Sequence, residues 1–274
     1  MASPIAIAPS RPAPRFRGDE VVRETLRMLR AHAPALLVMI AALYWLPVTA
    51  LDYAGAYAFE AAGYPRWYLI ARTAVGLVLI EFLLVAAAAI ALPPAGPRVN
   101  ALARGMTVIA RRAAPIAVLG LVMNATGSLG ALLVTDARFA HGDALWLVPA
   151  ALTGLVINLA MQCALGVASP VLAVEAGGLG HILVRAARLL AGRRLALAGF
   201  WAAVTASRGL FTQLATVLIV SPFPPASPVR LSNVLLFVVG AGLVLWGVVC
   251  AAFYRELVHV KDGGPHRAVA AVFD

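Results

Sequence analysis

The sequence predicts an all-α membrane protein with six transmembrane helices, arranged as three repeats of one amphipathic interfacial helix and two transmembrane helices. Three observations predict this fold. The chain has 62% hydrophobic residues, 12% charged residues and a mean hydropathy of +0.90, values outside the range of soluble globular domains. Six apolar stretches are long enough to cross a bilayer, and three similar basic segments recur about every 80 residues.

The apolar stretches define the transmembrane helices. A hydrocarbon core about 30 Å thick needs roughly 20 apolar helical residues to cross it. The stretches of this length are residues 33–56, 67–92, 114–135, 144–170, 195–220 and 231–255. An open sheet cannot satisfy its backbone in lipid, so all six are expected to be helices. We expect residues 1–18 to form a disordered cytoplasmic tail and residues 19–274 to form a single six-span domain.

The distribution of basic residues predicts the orientation. Seventeen of the 22 Lys and Arg residues fall in the two terminal segments and in the second and fourth connections; the other five are Arg66, Arg72, Arg138, Arg208 and Arg230. By the positive-inside rule, both termini are expected in the cytoplasm of a bacterium, with the chain in its cytoplasmic membrane. The aromatic belt on the opposite side would then contain Tyr53, Tyr57, Tyr64, Trp67, Tyr68 and Trp146.

The three basic segments indicate an internal repeat. They begin near Glu20, Val99 and His181, and aligning Pro34 with Pro115 superposes several of their arginines. The repeat boundaries are about 19–97, 98–177 and 178–262. Each unit contains one basic helix and two spans, so successive units have the same orientation.

Each basic segment is amphipathic. In the first one, Val22, Leu26 and Leu29 share one helical face, and an arginine follows each of them by one position. We expect these helices to lie on the cytoplasmic membrane surface, with arginines toward anionic lipid headgroups at about 1 kcal/mol per basic residue. The arginines given this role are Arg23, Arg27, Arg30, Arg104, Arg111, Arg112, Arg185 and Arg188. The alternative is that these arginines only set the topology.

Polar residues at membrane depth are candidates for an interior site. Glu81 and Arg208 lie near the middle of spans 2 and 5, where an ionisable group costs on the order of 3 kcal/mol and needs a partner. We expect them to face each other. An interior polar lining would add Asn124, Asn158, Gln162 and Gln213. The alternative is that these amides only hold helices together through hydrogen bonds.

Catalytic and metal motifs do not emerge from the sequence. It has no zinc-protease, nucleophile-elbow or phosphate-loop motif, and Cys163 and Cys250 lie in apolar runs. The net charge of +10 would indicate nucleic acid in a soluble chain, but here it is explained by topology. We therefore expect no enzyme activity, cofactor, metal site or nucleic-acid partner. The expected partners are membrane lipids with anionic headgroups, a second copy of the chain, or another membrane protein.

Two segments resemble a known family. The segment ASPVLAVEAGGLGHILVRAARLLAGRR from Ala168 and the segment CAAFYRELVHVKDGG from Cys250 resemble the membrane domain attached to some bacterial glycerophosphoryl diester phosphodiesterases, and its stand-alone YciC-like relatives. The matching positions are Pro170, Glu175, Arg185, Arg188, Gly192, Tyr254, Arg255, Glu256 and Asp262. The soluble phosphodiesterase barrel is absent from this sequence. The resemblance therefore implies a membrane module without phosphodiester hydrolysis.

Glu175 is the remaining candidate residue. It stands between span 4 and a basic helix, and carboxylates favour helix N-termini, so we expect it to cap that helix or pair with its arginines. The leading interpretation is a non-enzymatic membrane protein that interacts with lipid or takes part in transport. The alternative is a scaffold or accessory subunit of a membrane complex. An intramembrane enzyme would need a site around Glu175, Glu256 and Asp262.

Overall fold

A computed structural model describes residues 16–59, 65–92, 100–141, 147–220 and 228–261. The secondary structure of these residues is helical. In chain order the helices are α1 (Gly18–Met39), a π-helical turn (Ile40–Trp45), α2 (Leu46–Phe59), α3 (Arg66–Ala91), α4 (Ala101–His141), α5 (Leu147–Leu165), α6 (Ala168–Val174), α7 (Leu179–Leu190), α8 (Arg194–Val220) and α9 (Pro228–Lys261).

The described helices fit a multi-pass membrane protein. Five helical segments are long and apolar enough to cross a membrane, and α7 with α8 adds a sixth if this bent pair counts as one span. The prediction of an all-α membrane protein is thus confirmed at this level. The expected tail, residues 1–18, falls mostly outside the described residues, which begin at Phe16.

The three basic segments join their spans in three different ways. The first continues through the π-helical turn into a single helix of 42 residues, Gly18–Phe59, about 63 Å long at 1.5 Å per residue. The second lies in α4, which is kinked at Arg112, where φ is −125° and ψ is 24°. The third, α7, meets α8 at an angle of 98°. The connection passes through Gly192, whose φ of +83° is a conformation that glycine adopts without a steric penalty.

Helix α3 occupies the centre of the described bundle. It packs against α1, α4, α6 and α9, and residues 83–91 of α3 are all buried. Much of this stretch is alanine, which allows neighbouring backbones to come close.

Two glycines mark close contacts of neighbouring helices with α3. A Cβ atom added at Gly120 of α4 would lie 2.8 Å from the Glu81 Cβ, and one added at Gly247 of α9 would lie 3.0 Å from the Ala87 Cβ. Both glycines therefore set how closely α4 and α9 approach α3. This packing fixes the depth of Glu81 inside the bundle.

A candidate lipid interface at the basic end of the bundle

Three hydrogen bonds gather the basic segments at one end of the molecule. The Arg17 backbone N–H donates to Glu256 Oε1 at 3.0 Å, which joins the start of α1 to the end of α9. Arg104 of α4 donates to the Ile90 carbonyl oxygen at the end of α3, at 2.6 Å. Lys261 Nζ donates to the Arg188 carbonyl oxygen of α7, also at 2.6 Å. We call this region the basic end.

The basic end carries a large excess of positive charge. Its described cationic residues are Arg17, Arg23, Arg27, Arg30, Arg104, Arg111, Arg112, Arg185, Arg188, Arg193, Arg194, Arg255 and Lys261, and its described acidic residues are Asp19, Glu20, Glu24, Glu175 and Glu256. Two of the acidic side chains, Glu24 and Glu175, are buried between helices. The acidic groups that bind helices together thus leave many guanidinium groups for other contacts.

Glu24 ties α1 to α9. Its carboxylate accepts a hydrogen bond from Arg27 Nη1 at 2.5 Å and another from Arg255 Nη1. Beside it, Phe16 packs on Phe253 with ring centroids 4.9 Å apart, and the Arg193 guanidinium lies 5.7 Å from the Phe16 centroid. The first residues of the described chain are therefore fixed against the last helix.

Glu175 lies at the junction of four helices. Its Oε1 accepts hydrogen bonds from the Tyr254 hydroxyl at 2.9 Å and from Arg185 Nε at 3.2 Å. Its backbone carbonyl oxygen accepts from Arg112 Nη1 at 2.6 Å, and the same nitrogen donates to the Leu172 carbonyl oxygen. These four residues, Glu175, Tyr254, Arg185 and Arg112, form what we call the Glu175 cluster, which connects α4, α6, α7 and α9.

Glu175 forms an ion pair with Arg185 and does not cap the N-terminus of α7. Helix α7 begins after Gly178, and no side chain caps its N-terminus. Gly177, whose φ is +141°, and the extended Gly178 separate Glu175 from the first turn of α7. The Glu175 carboxylate pairs with Arg185 instead. Capping, one of the two roles expected from the sequence, is therefore not the role that the structure gives Glu175.

The predicted headgroup arginines divide into three groups. Arg104, Arg112 and Arg185 are partly buried and bind helix carbonyl oxygens or Glu175. Arg23 and Arg27 are exposed but pair along α1, Arg23 with Asp19 at 2.6 Å. The remaining three, Arg30, Arg111 and Arg188, have exposed side chains that make no ion pair or hydrogen bond with the described part of the chain.

Exposed apolar side chains accompany the exposed arginines. On α1, Val22 and Leu26 are 47% and 48% exposed, while Val21, Thr25 and Met28 face the core. Met106 of α4, Val184 of α7 and Leu195 of α8 are also exposed close in sequence to arginines. Val22 and Leu26 of the predicted apolar face are exposed, whereas Leu29 packs against the core. The sequence periodicity missed the buried side of α1. Apolar side chains beside guanidinium groups are typical of helices at a membrane surface.

The interior residue Glu81 is buried and bonded. It is 1% exposed, and its Oε1 accepts a hydrogen bond from the Ser169 hydroxyl of α6 at 2.6 Å. The predicted partner Arg208 has a side chain outside the described set, so the predicted pair stays a prediction. Of the predicted polar lining, Gln162 is buried and Asn158 is partly buried, whereas the side chains of Asn124 and Gln213 lie outside the described set.

Sequence reasoning missed three polar features. It assigned no role to Ser169, to Tyr254 inside the Glu175 cluster, or to Asp52, which pairs with Arg72 at 2.5 Å away from the basic end. Tyr254 does belong to the aromatic and charged cluster that carries the family resemblance. Ser169 and Asp52 are single polar residues in apolar helices, which was the one signal that could have identified them.

The described residues bring no metal-binding set together. No group of three His, Cys, Asp or Glu side chains has metal-binding geometry within the described ranges. Glu175 and Glu256 hold separate bonds, and Asp262 lies outside the described residues. Comparisons of the chain with protein-family models, with characterised proteins and with solved structures give no match.

Proposed function

We propose that this chain is a non-enzymatic, multi-pass protein of the bacterial cytoplasmic membrane that binds anionic lipid through its basic end. The observation that carries the proposal is a set of three exposed arginines, Arg30, Arg111 and Arg188, whose side chains form no ion pair or hydrogen bond with the described residues. They lie at an end where the buried carboxylates are already bonded. Each basic residue near an anionic membrane surface contributes about 1 kcal/mol. Three such residues together contribute about 3 kcal/mol, a factor of roughly 150 in affinity.

The orientation is part of the proposal. The excess of positive charge at the basic end supports a cytoplasmic location for it and hence for both termini. The hydrogen bond between Arg17 and Glu256 supports an even number of crossings, because it joins the two ends of the described chain. We therefore favour six crossings, with α7 and α8 contributing one, and a threefold repeat whose basic segments join their spans differently.

Transport is less well supported than lipid binding. A transport pathway would bring water or solute to the polar groups at membrane depth. Glu81 is instead almost fully buried, bonded to Ser169 and closely packed beside Gly120. This arrangement favours a role for Glu81 in holding α3, α4 and α6 together.

A scaffold or accessory subunit is the second candidate. The ion pairs of Arg23 and Arg27 within α1 leave that helix with little unpaired charge, and exposed Val22 and Leu26 lie among these pairs. Such a mixed surface also suits another membrane protein or a second copy of the chain. The lipid experiment separates these candidates.

The lipid proposal is tested by native mass spectrometry of protein released gently from the bacterial membrane. In the triple variant Arg30→Gln, Arg111→Gln, Arg188→Gln, we expect co-purifying phosphatidylglycerol and cardiolipin to fall at least about tenfold, because three headgroup contacts are lost. The control is Arg66→Gln, Arg138→Gln, Arg230→Gln, which removes the same charge from the connections expected on the opposite side.

Loss of lipid in the first variant alone supports the proposal. Equal lipid retention in wild type, test variant and control contradicts it and reduces these arginines to topology signals. If the test variant instead loses a co-purifying protein or its dimer while lipid is unchanged, the scaffold candidate replaces the lipid proposal.

A further inference from the structure

A small cavity lies between α2 and α3, away from the basic end. Its volume is about 240 Å³, and Asp52, Tyr68, Leu69 and Arg72 line it. This is below the roughly 300–1,000 Å³ typical of sites for drug-sized ligands. The cavity therefore suits a small polar group and not a large organic molecule.

The two charged residues in this cavity leave most of their bonding capacity unused. Arg72 Nε donates to Asp52 Oδ1 at 2.5 Å, and neither side chain makes another hydrogen bond with the described residues. A guanidinium has five N–H donors and a carboxylate two oxygens, so four donors and one oxygen remain. The Arg72 and Asp52 side chains are 40% and 31% exposed, respectively. The cavity thus offers a cationic and an anionic contact side by side.

The surroundings hold this pair in place. The Tyr68 hydroxyl donates to the Leu51 carbonyl oxygen at 2.5 Å, which fixes α3 against α2 next to the pair. A Cβ atom added at Gly55 would lie 2.0 Å from that hydroxyl oxygen, so the close contact depends on glycine at this position.

The cavity lies near one end of the predicted spans 33–56 and 67–92, within reach of the headgroup region. Asp52 is seven residues before the end of α2 and Arg72 is six residues after the start of α3, about 10 Å from each helix end at 1.5 Å per residue. Phe59, Trp67 and Tyr68 form a ring cluster with centroid distances of 5.2 to 6.1 Å, and Tyr57 is 96% exposed. Aromatic residues of this kind concentrate where the bilayer meets water.

We propose that this cavity binds a zwitterion, with an ammonium group on Asp52 and a phosphate or carboxylate on Arg72. The ligand chemistry is that of the phosphoethanolamine headgroup of a lipid, and free phosphoethanolamine shares it. Guanidinium groups bind phosphate through paired hydrogen bonds, and ammonium groups favour carboxylates. The depth of the cavity favours the lipid as the source. This site is separate from the basic end, and the proposal does not depend on lipid binding there.

The proposal is tested by native mass spectrometry from nanodiscs that contain equal amounts of phosphatidylethanolamine and phosphatidylglycerol. The test variant is Asp52→Asn with Arg72→Gln, which removes both charges and keeps both side chains polar. The matched control is Asp19→Asn with Arg23→Gln, which removes an exposed ion pair of 2.6 Å at the basic end. We expect retention of phosphatidylethanolamine to fall at least about tenfold in the test variant only, because the charge-assisted contacts are lost.

A second variant distinguishes loss of the binding site from a folding defect. Leu69→Trp fills the cavity and leaves the ion pair in place, and we expect the same loss of phosphatidylethanolamine from protein whose gel-filtration profile matches wild type. Equal retention of phosphatidylethanolamine in wild type and both variants overturns the proposal.

Added water-soluble O-phosphoethanolamine distinguishes the two sources of the ligand. If millimolar O-phosphoethanolamine displaces phosphatidylethanolamine from wild type, the headgroup alone is recognised and a free solute also fits. If it binds wild type in lipid-free detergent and phosphatidylethanolamine does not, the site is for the solute. Both results support a zwitterion site. If neither molecule binds, the proposal is wrong.

Discussion

At the residue scale, the polar side chains of this protein are used mainly between helices. Glu175 accepts bonds from Tyr254 and Arg185, Glu81 accepts one from Ser169, and Lys261 Nζ donates to two carbonyl oxygens at the end of α7. Lys261 bonds carbonyl groups of the last turn of α7 and places a positive charge at the negative end of that helix dipole. Lys261 of α9 thus bonds the C-terminal end of α7, a helix that lies far from it in sequence.

Removal of the Tyr254 hydroxyl tests how much the Glu175 cluster contributes to stability. We expect Tyr254→Phe to lower the free energy of unfolding by about 1.5–3 kcal/mol, because a buried hydrogen bond to a charged group is lost while the ring stays. The control is Tyr57→Phe, whose side chain is 96% exposed. Denaturation in mixed micelles, followed by tryptophan fluorescence, measures both. Equal stability of the two variants would show that the Glu175 cluster contributes little.

At the element scale, the helices pack closely around α3 because small residues face it. The alanine stretch in the second half of α3 lies against α9, and Gly120 of α4 lies against Glu81. Without a strong hydrophobic driving force between helices in lipid, contacts of this kind carry much of the association energy. Substitutions at these positions should therefore act through sterics.

Alanine substitutions at Gly120 and Gly76 test this steric explanation. A Cβ atom at Gly120 would meet Glu81 Cβ at 2.8 Å and the Leu77 carbonyl oxygen at 3.0 Å, whereas one at Gly76 meets nothing within 4 Å. We expect Gly120→Ala to destabilise by about 1–3 kcal/mol through overpacking, and Gly76→Ala to be neutral or slightly stabilising. Thermal aggregation of the purified variants would reveal the difference. Destabilisation by Gly76→Ala of the same size would point to a general loss of glycine flexibility instead.

At the scale of the whole molecule, the basic segments form one end of the bundle. The segments come from α1, α4, α7 and α9, and bonds such as Arg17 to Glu256 and Lys261 to Arg188 connect them. One end therefore carries nearly all of the described cationic groups. This asymmetry is the physical basis of the proposed orientation.

The orientation is checked with reporter fusions to the C-terminus. We expect a green fluorescent protein fused after Asp274 to be fluorescent and an alkaline phosphatase fused there to be inactive, because both report a cytoplasmic terminus. The same reporters fused after Phe59, in chains truncated there, should give the opposite pattern. An active phosphatase at the C-terminus would invert the proposed orientation and place the exposed arginines on the outer surface.

The sequence by itself determined that this is an all-α membrane protein and that its basic residues are concentrated in a few segments. Apolar length predicted helices that can cross a membrane, since backbone groups in lipid must be satisfied within each segment. The arginine positions also predicted the basic end. These properties follow from local composition and periodicity, which require no knowledge of which helices are neighbours.

Only the tertiary structure decided which charges are free. Arg112, Arg185 and Arg188 look equivalent in sequence, but the first two bind Glu175 and only Arg188 is exposed without an ion pair to the described residues. The tertiary structure likewise revealed that Asp52 pairs with Arg72 and that Ser169 is a hydrogen-bond partner of Glu81. A residue's partner depends on which helices pack together, and that choice depends on the shapes of whole helix faces, which no single segment of sequence specifies.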